Sequence, residues 1–266
     1  MLQSAKTADL PRILPYLKAG VEDCIYMYID IAKYGLENAN MKVWFQPDES
    51  GEPQLVIMKY YNGMSIYSHR REFDTEATAE LIRACRPGRV TGPKEMIAQL
   101  QPQLQAEYSV EYGYVVRYDE RFPHYESTAE IRRAANAEEL TLAAEIVAAD
   151  ESVGAGWSVA ELAAQYKDRQ ESGFGRSCLL FEDGRPAAVY STYAEFEDLA
   201  VMGGLCVIPE KRGRGYGSAI ESYLYRSLAG EGFRVYSFAA EESRIAYHRR
   251  HQTPVAAEYG KLLIRE

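Results

Sequence analysis

Apolar and polar positions change period along this chain, from helical to alternating and back, and the changes divide it into elements. The signals are clearest in the second half. Asn136 with Glu139 three residues on is a helix-start pair, and Leu140, Ala143, Ala144 and Val147 then fall on one helical face. Ser158 with Glu161 repeats the device before Leu162, Ala163 and Tyr166. An apolar run over residues 177–182 ends at Asp183-Gly184, a two-residue hairpin signal that predicts a return strand over 185–194. An acidic turn at 195–198 leads into a third strand closed by Pro209. Helical spacing returns over 218–229 in Ile220, Tyr223, Leu224 and Leu228, and Gly230 or Gly232 stops it. Residues 233–239 read as a strand, Ser243 as the cap of a short helix to His251, and 255–264 as a final strand. The order is ααβββαβαβ.

The first half follows the same order. Residues 11–19 and 21–34 read as helices, and 41–46 and 54–60 as strands across a polar turn. Asn62-Gly63 predicts a hairpin into 64–69. Asp74 caps a helix to Cys85, and Pro93 sits in the first turn of another that reaches Leu104. Tyr108, Val110, Tyr112, Tyr114, Val116 and Tyr118 then alternate with smaller or polar residues, which predicts a strand with one tyrosine-rich face. The boundary between the halves falls near residue 125, where Pro123 interrupts.

Composition narrows the function. A net charge of −9 argues against nucleic acid as a partner, and it is spread evenly, −4 over residues 1–126 and −5 over 127–266. Cys24, Cys85, Cys178 and Cys206 lie far apart in the sequence, so a zinc or disulfide framework is not expected. His248 and His251 share a helical face, but with only Arg249 and Arg250 between them no metal site is expected. The sequence opens without a basic-then-apolar leader, and no apolar run approaches the length of a membrane span. These features predict a cytoplasmic protein that contacts neither membrane nor nucleic acid.

Between the third strand and the next helix stands Arg212-Gly213-Arg214-Gly215-Tyr216-Gly217. Three glycines in six residues let backbone N–H groups turn inward, and a helix starting directly after them adds free N–H groups and a positive dipole end. That combination binds phosphate. A dinucleotide fingerprint would need a third glycine at Ser218 and an acid ending the next strand, where Glu241 lies too far on. A nucleoside-triphosphate loop would need Gly-Lys-Ser/Thr, which is absent. The matching stretch of the first half, Ser68-His69-Arg70-Arg71-Glu72-Phe73-Asp74, holds no glycine, so only the second half is expected to take a phosphorylated ligand.

Leu205-Cys206-Val207-Ile208-Pro209-Glu210-Lys211-Arg212-Gly213-Arg214-Gly215-Tyr216-Gly217-Ser218 resembles the acyl-CoA-binding motif of the GNAT superfamily of N-acetyltransferases. The element order from Asn136 onward, the tyrosine of Ser243-Arg244-Ile245-Ala246-Tyr247, and the closing residues 253–262 resemble that family too. The likeness covers about 128–266, and the first half looks like a degenerate second copy. It implies an α+β fold of two tandem acyl-CoA N-acyltransferase-like domains, each a mixed, mostly antiparallel sheet flanked by helices. Residues 1–125 would form a copy without a phosphate loop and 126–266 the catalytic copy.

The resemblance also implies roles. Gly213, Arg214, Gly215, Tyr216, Gly217 and Ser218 would hold the pyrophosphate of acetyl-CoA, with Arg212 and Arg214 adding charge. Backbone groups of Leu205, Cys206 and Val207 would pair with the pantetheine arm, and one of their N–H groups would face the thioester oxygen. Tyr247 would protonate the departing thiolate, and Ser243 would cap its helix or contact CoA. No carboxylate stands in Val201-Met202-Gly203-Gly204 to act as general base; Glu195, Glu197 and Asp198 are the candidates acting through water. The implied reaction is acetyl transfer to a small-molecule amine by direct attack in a ternary complex, with a homodimer as one possible assembly. The other readings are a non-catalytic acyl-CoA sensor or assembly module, and a loop that is only a turn. An acidic balance favours a cationic amine, and the tyrosines of the first half would suit an aromatic or amino-acid-like acceptor.

Overall fold

A computed structural model describes residues 2–151, 153–154 and 156–265. The first half runs β1 (Gln3–Ser4), α1 (Leu10–Ala19), α2 (Val21–Tyr34), β2 (Met41–Pro47), β3 (Pro53–Tyr60), β4 (Gly63–Tyr67), α3 (Thr75–Cys85), β5 (Arg89–Pro93), α4 (Lys94–Leu104) and β6 (Tyr108–Arg117). The second runs β7 (Glu130–Arg133), α5 (Ala137–Ala148), α6 (Val159–Glu171), β8 (Ser177–Glu182), β9 (Arg185–Phe196), β10 (Leu199–Val207), α7 (Tyr216–Gly230), β11 (Arg234–Ala239), α8 (Glu242–Arg250) and β12 (Val255–Ile264). Each half therefore reads βααβββαβαβ. The shared order extends by one strand at the front of each half, β1 and β7, and includes β5, which has no alternating pattern of its own.

Two compact units form. One comprises Met1–Val115, Ala239–Ile245 and Val255–Glu266, the other Val116–Phe238 and Ala246–Pro254. In the first, strands lie in the order β1-β2-β3-β4-β5-β12-β6. The last strand of the chain is thus built into the first unit, antiparallel to β5 with Gly260 opposite Gly92 and Leu262 opposite Val90. Leu262 is fully buried in a core with Ile57, Ile66, Ile97 and Leu100, a burial that contributes about 2 kcal/mol to docking the strand. Lys94 donates to both carboxylate oxygens of Glu258 at 3.2 Å and Lys261 pairs with Glu111 at 3.3 Å, surface contacts that add little.

In the second unit the order is β11-β10-β9-β8-β7. The pairs from β7 to β10 are antiparallel, and β10 with β11 is parallel. α5 and α6 bury Leu140, Val147, Leu162 and Tyr166 against Leu179, Val189 and Cys206 on one face. α7 lies against the other face, where Gly217 stands beside Val207. Both expected caps are present: Asn136 accepts from Glu139 N at 3.0 Å, and Ser158 with Glu161 forms a capping box. Such a cap stabilises a helix by about 1 kcal/mol. Just past β6 the chain enters this unit, with Tyr118 N donating to Val235 O at 2.9 Å.

Three local expectations are corrected. The β3–β4 hairpin pairs Tyr60 with Gly63, so its turn is Tyr61-Asn62, with Tyr61 at φ 49°, and not Asn62-Gly63. Pro93 ends β5 and precedes α4 instead of lying in its first turn. The alternation in β6 breaks midway: Tyr112 is 38% exposed while Gly113 is buried, because a side chain there would collide with the Ala239 carbonyl and the Tyr259 ring.

Candidate functional site

The site begins with an asymmetry in β10. On one side β9 accompanies it from Leu199 to Val207. On the other, the pairing with β11 runs only from Leu199 opposite Arg234 to Met202 opposite Ser237. Gly203 to Val207 thus have a strand partner on one side only among the described residues. Successive strand residues turn their N–H and C=O groups to alternate sides, so this stretch offers backbone donors and acceptors to an extended guest. A bulge marks its start: the register with β9 slips between Gly203 and Cys206, and Gly204 has φ +73°. The Tyr193 ring lies directly against both glycines, 2.4 Å from where a Cβ on Gly203 would stand.

Leu205, Cys206 and Val207 follow the bulge. Cys206 points into the α5–α6 core and is 3% exposed; burial, with the Asp150 charge, pushes its thiol up to about 12. That is an inert thiol, not a nucleophile. The Val207 carbonyl accepts from Arg212 Nε at 3.0 Å.

Beyond β10, a 3₁₀ turn at Pro209–Lys211 leads into the glycine loop. Gly213 and Gly215 have φ +79° and +80°, the left-handed region open to glycine. Gly215 is the N-cap of α7, so no side chain caps this helix, and its first turn holds no acidic residue. α7 starts at Tyr216, two residues earlier than the pattern predicts, which puts Tyr216, Gly217 and Ser218 in the turn whose N–H groups lack intrahelical acceptors. Gly213, Arg214 and Gly215 are exposed, so the positive dipole end of α7 and the backbone that leads into it are open to solvent.

The cations of the loop are already matched. Arg214 Nη1 donates to Glu182 Oε1 at 2.9 Å, and Lys211 and Tyr216 close on the same carboxylate. Hydrogen bonds from Lys211 and Tyr216 hold Glu182 down to about 2. Arg212 pairs with Asp150 at 3.0 Å.

Tyr247 lies on α8, with its ring 4.5 Å from His251 and 5.5 Å from His248. Its phenol is raised well above the ordinary tyrosine range by burial and by the Glu221 charge, while hydrogen bonding by Ser218 opposes the rise. Ser218 and Glu221 both belong to the first turns of α7, so the phenol stands beside the start of the helix that ends the loop. Glu221 is fully buried; the Tyr118 hydroxyl donates to its Oε1 and lies 3.1 Å from Ser237 Oγ. Ser243 is the second residue of α8 and exposed, not its N-cap: Ile245 N bonds to Glu241 O at 3.0 Å.

Residues 128–252 match the family model described as the acetyltransferase (GNAT) family. They form a GNAT domain. Solved structures similar to the whole chain are of the same kind. A GCN5-related N-acetyltransferase from Sphaerobacter thermophilus has a TM-score of 0.69 at 17% identity, covering 98% of this chain and 94% of that one. A tandem GNAT protein from the clavulanic acid biosynthesis pathway has a TM-score of 0.62 at 14% identity, covering 98% and 97%. A GNAT-family acetyltransferase from Colwellia psychrerythraea has 0.62 at 13%, covering both chains completely. At these identities the likeness is one of fold. No curated protein matches this chain in sequence.

Within the GNAT domain the acidic turn does not supply a ready base. Glu195 is 9% exposed and its carboxylate is filled, accepting from Arg176 Nε at 2.8 Å, Arg176 Nη2 at 2.6 Å and Thr192 Oγ1 at 2.5 Å. Asp198 pairs with Arg234 at 2.7 Å, and Glu197 occupies the turn at φ 52°. These contacts hold the end of β9 in place. His248 is buried with Nδ1 3.4 Å from Thr253 Oγ1, and His251 Nε2 lies 2.9 Å from the Tyr125 hydroxyl. No group of three metal-ligating side chains occurs among the described residues.

The first unit's counterpart of the loop is closed by its own side chains. Arg71, at φ 62°, donates to Asp23 Oδ2 at 2.6 Å and to the Ser68 carbonyl at 2.8 Å. The Asp74 carboxylate accepts from Ala77 N at 3.0 Å and so occupies the start of α3 as an anion would.

Two features escape a reading of motifs. Glu221 announces itself only as an acid on the buried stripe of α7 with Leu224, Tyr225 and Leu228. The Tyr193 contact with Gly203-Gly204 depends on a bulge that local patterning does not encode.

Proposed function

We propose that this protein transfers an acetyl group from acetyl-CoA to the amine of a small molecule by direct attack in a ternary complex, with residues 126–266 carrying the chemistry and 1–125 a degenerate second copy. One observation carries the reading. The one-sided edge of β10 runs straight into a glycine-turned, uncapped helix start, with Tyr247 beside that start. The donor set fits acetyl-CoA at both ends: helix-start N–H groups for a pyrophosphate, and strand-edge groups for an amide-bearing arm.

Acetyl-CoA supplies a thioester, whose C–S bond breaks as the amine nitrogen forms the new C–N bond. The chain's own residues do the rest. Gly213 to Ser218 anchor the phosphates, and the edge from Gly203 to Val207 aligns the arm. An N–H of Leu205 to Val207 stabilises charge on the carbonyl oxygen by about 3 kcal/mol, the scale of one such donor. Tyr247 keeps its proton to high pH and gives it to the departing sulfur, while the amine loses its proton to water. Lys211, Arg212 and Arg214 exchange Glu182 and Asp150 for phosphate oxygens.

A non-catalytic acyl-CoA module is the second reading, favoured by the ion-paired state of Glu195 and Asp198. One experiment separates them: CoA binding by calorimetry, with CoA release from acetyl-CoA across a panel of amines, amino acids, aminoglycosides and polyamines. Binding with amine-dependent release supports transfer; binding without release supports the module. No binding rejects both. For transfer, Tyr247→Phe should lower kcat by about 100-fold with KM for acetyl-CoA within a few-fold, since loss of a proton donor acts on the chemical step.

A further inference from the structure

At the bulge end of the β10 edge, the second unit holds an arginine with no carboxylate to match it among the described residues. Three arginines of this unit are partly buried: Arg132, Arg169 and Arg176. Arg132 pairs with Glu130 and Glu139, and Arg176 with Glu195 and Glu231. Arg169, in the last turn of α6, donates only to the neutral Gln165 Oε1 at 3.1 Å, and its guanidinium lies 5.1 Å from the centre of the Tyr193 ring. A partly desolvated cation is costly without an anion, and the other two in this unit have theirs.

Tyr193 ties that cation to the site. It is the extra residue where β9 slips against β10, between Ala194 opposite Val201 and Thr192 opposite Met202. Its hydroxyl would lie 2.8 Å from a Cβ on Gly204, so it stands at the bulge itself. Tyr166, one turn before Arg169 on α6, is 3% exposed; its hydroxyl lies near the Ser191 side chain but completes no hydrogen bond of ordinary geometry among the described residues. Tyr193, Arg169 and Cys206 are close enough to act on it electrostatically. Burial keeps both phenols protonated, so both are donors.

Tyr193 therefore stands beside Gly203 and Gly204 with the Arg169 guanidinium against its ring and the Tyr166 hydroxyl close enough to interact, and none of the three is paired with a carboxylate among the described residues. Those glycines mark the far end of the open edge, four residues or about 13 Å of strand from Val207. An arm anchored at the glycine loop and laid along that edge brings its thioester to the Leu205 end, next to these glycines. Tyr247, on α8, stands beside the first turns of α7, the helix on the opposite face from α6, which leaves the α6 face to the incoming amine.

We propose that the acceptor is an amino acid, or another small amine bearing a carboxylate, and that Arg169 with the Tyr193 and Tyr166 hydroxyls binds this carboxylate beside Gly203 and Gly204. The assignment rests on the acetyl-transfer reading above and names its substrate class. A single carboxylate matches the single unmatched charge, and its oxygens can accept from the guanidinium and the two phenols.

The test compares acceptors that differ only in the carboxylate: L-phenylalanine with phenethylamine, and L-lysine with cadaverine. In the wild type, kcat/KM should favour the carboxylate member of at least one pair by tenfold or more. Arg169→Gln should bring that ratio to within about twofold of one, while Arg169→Lys keeps part of it. CoA binding by calorimetry runs alongside, and R169Q should bind CoA within about twofold of wild type, which shows that it is folded. A wild-type ratio of one or less in both pairs overturns the proposal without any variant, as does a ratio that R169Q preserves. CoA binding without transfer to any of the four also overturns it, and leaves the transfer reading to be decided by the wider amine panel. Absent CoA binding, the cosubstrate reading falls first and this one with it.

Discussion

The three loop glycines look equivalent in sequence but should respond to alanine in opposite directions. At Gly213 and Gly215 an added Cβ meets nothing within 4 Å, so space is not the constraint; φ is, at +79° and +80°. Placing alanine there costs about 1–2 kcal/mol each. Gly217 is the second residue of α7 at ordinary helical φ, and its added Cβ would meet Val207 Cγ2 at 3.6 Å, normal contact. Gly217→Ala should therefore stabilise by about 0.5–1 kcal/mol, the helix preference of alanine over glycine. For a chain of this size each kcal/mol moves Tm by about 2–4 °C. Thermal unfolding should show G213A and G215A melting lower by about 2–8 °C and G217A melting higher by about 1–4 °C. Calorimetry with CoA should find all three weaker: the first two because the N–H groups turn away, the third because a methyl stands where a phosphate approaches the helix start. G217A then gains stability while losing ligand. If G213A and G215A melt with the wild type, the conformational argument is wrong. If all three bind CoA as the wild type does, the loop is not the phosphate site.

Two further outcomes follow from charges around the site. Glu182→Gln frees Lys211 and Arg214 for phosphate, so CoA should bind about two- to fivefold tighter at low ionic strength, a gain that salt erases. Because Glu182 is lowered to about 2 from 4.5, its pairing stabilises the fold above about pH 4.5 and is lost as pH falls from 4.5 towards 2; acid titration of E182Q should lack that component. Glu221→Gln removes the charge that, after burial, does most to raise Tyr247, so the phenol should lose its proton at lower pH. The alkaline fall of kcat/KM should move down the pH scale in E221Q; a profile superimposable on the wild type would show that Glu221 does not govern Tyr247.

The elements that could be read from sequence are those whose signal is local. Asp183-Gly184 adopts φ 49° and 75°, as an Asp-Gly hairpin turn between two strands requires. The caps of α5 and α6 depend on residues three apart, and both formed. β5 was missed because Arg89-Val90-Thr91-Gly92-Pro93 carries neither alternation nor β-rich composition; it is a strand because β4 and β12 flank it. The Asn62-Gly63 signal failed by one residue because the β3–β4 register, set by two apolar faces, places Tyr61-Asn62 at the turn. β12 was legible as a strand, but its apolar pattern fits either core, and only the burial of Leu262 among first-unit residues decides which sheet it joins.

The same division holds for the candidate site, and it has a physical basis. A phosphate cradle is built from consecutive backbone groups, so its glycines must sit close together in sequence and can be read as a motif. The acceptor site proposed above draws on residues of α6, β9 and β10, and no spacing links Arg169 to Tyr193 or either to Gly203. What links them is a mismatch visible only in three dimensions: two partly buried arginines with glutamates and one without. Arg132 and Arg176 complete their ion pairs within the fold, so they cement β7, β8 and β9 and have no charge left for a guest. Arg169 has no carboxylate partner among the described residues and lies against Tyr193, where the strand edge opens. The cosubstrate half of such a site can thus be inferred from a motif, while the half that decides what is acetylated has to be inferred from the charge the fold leaves unmatched.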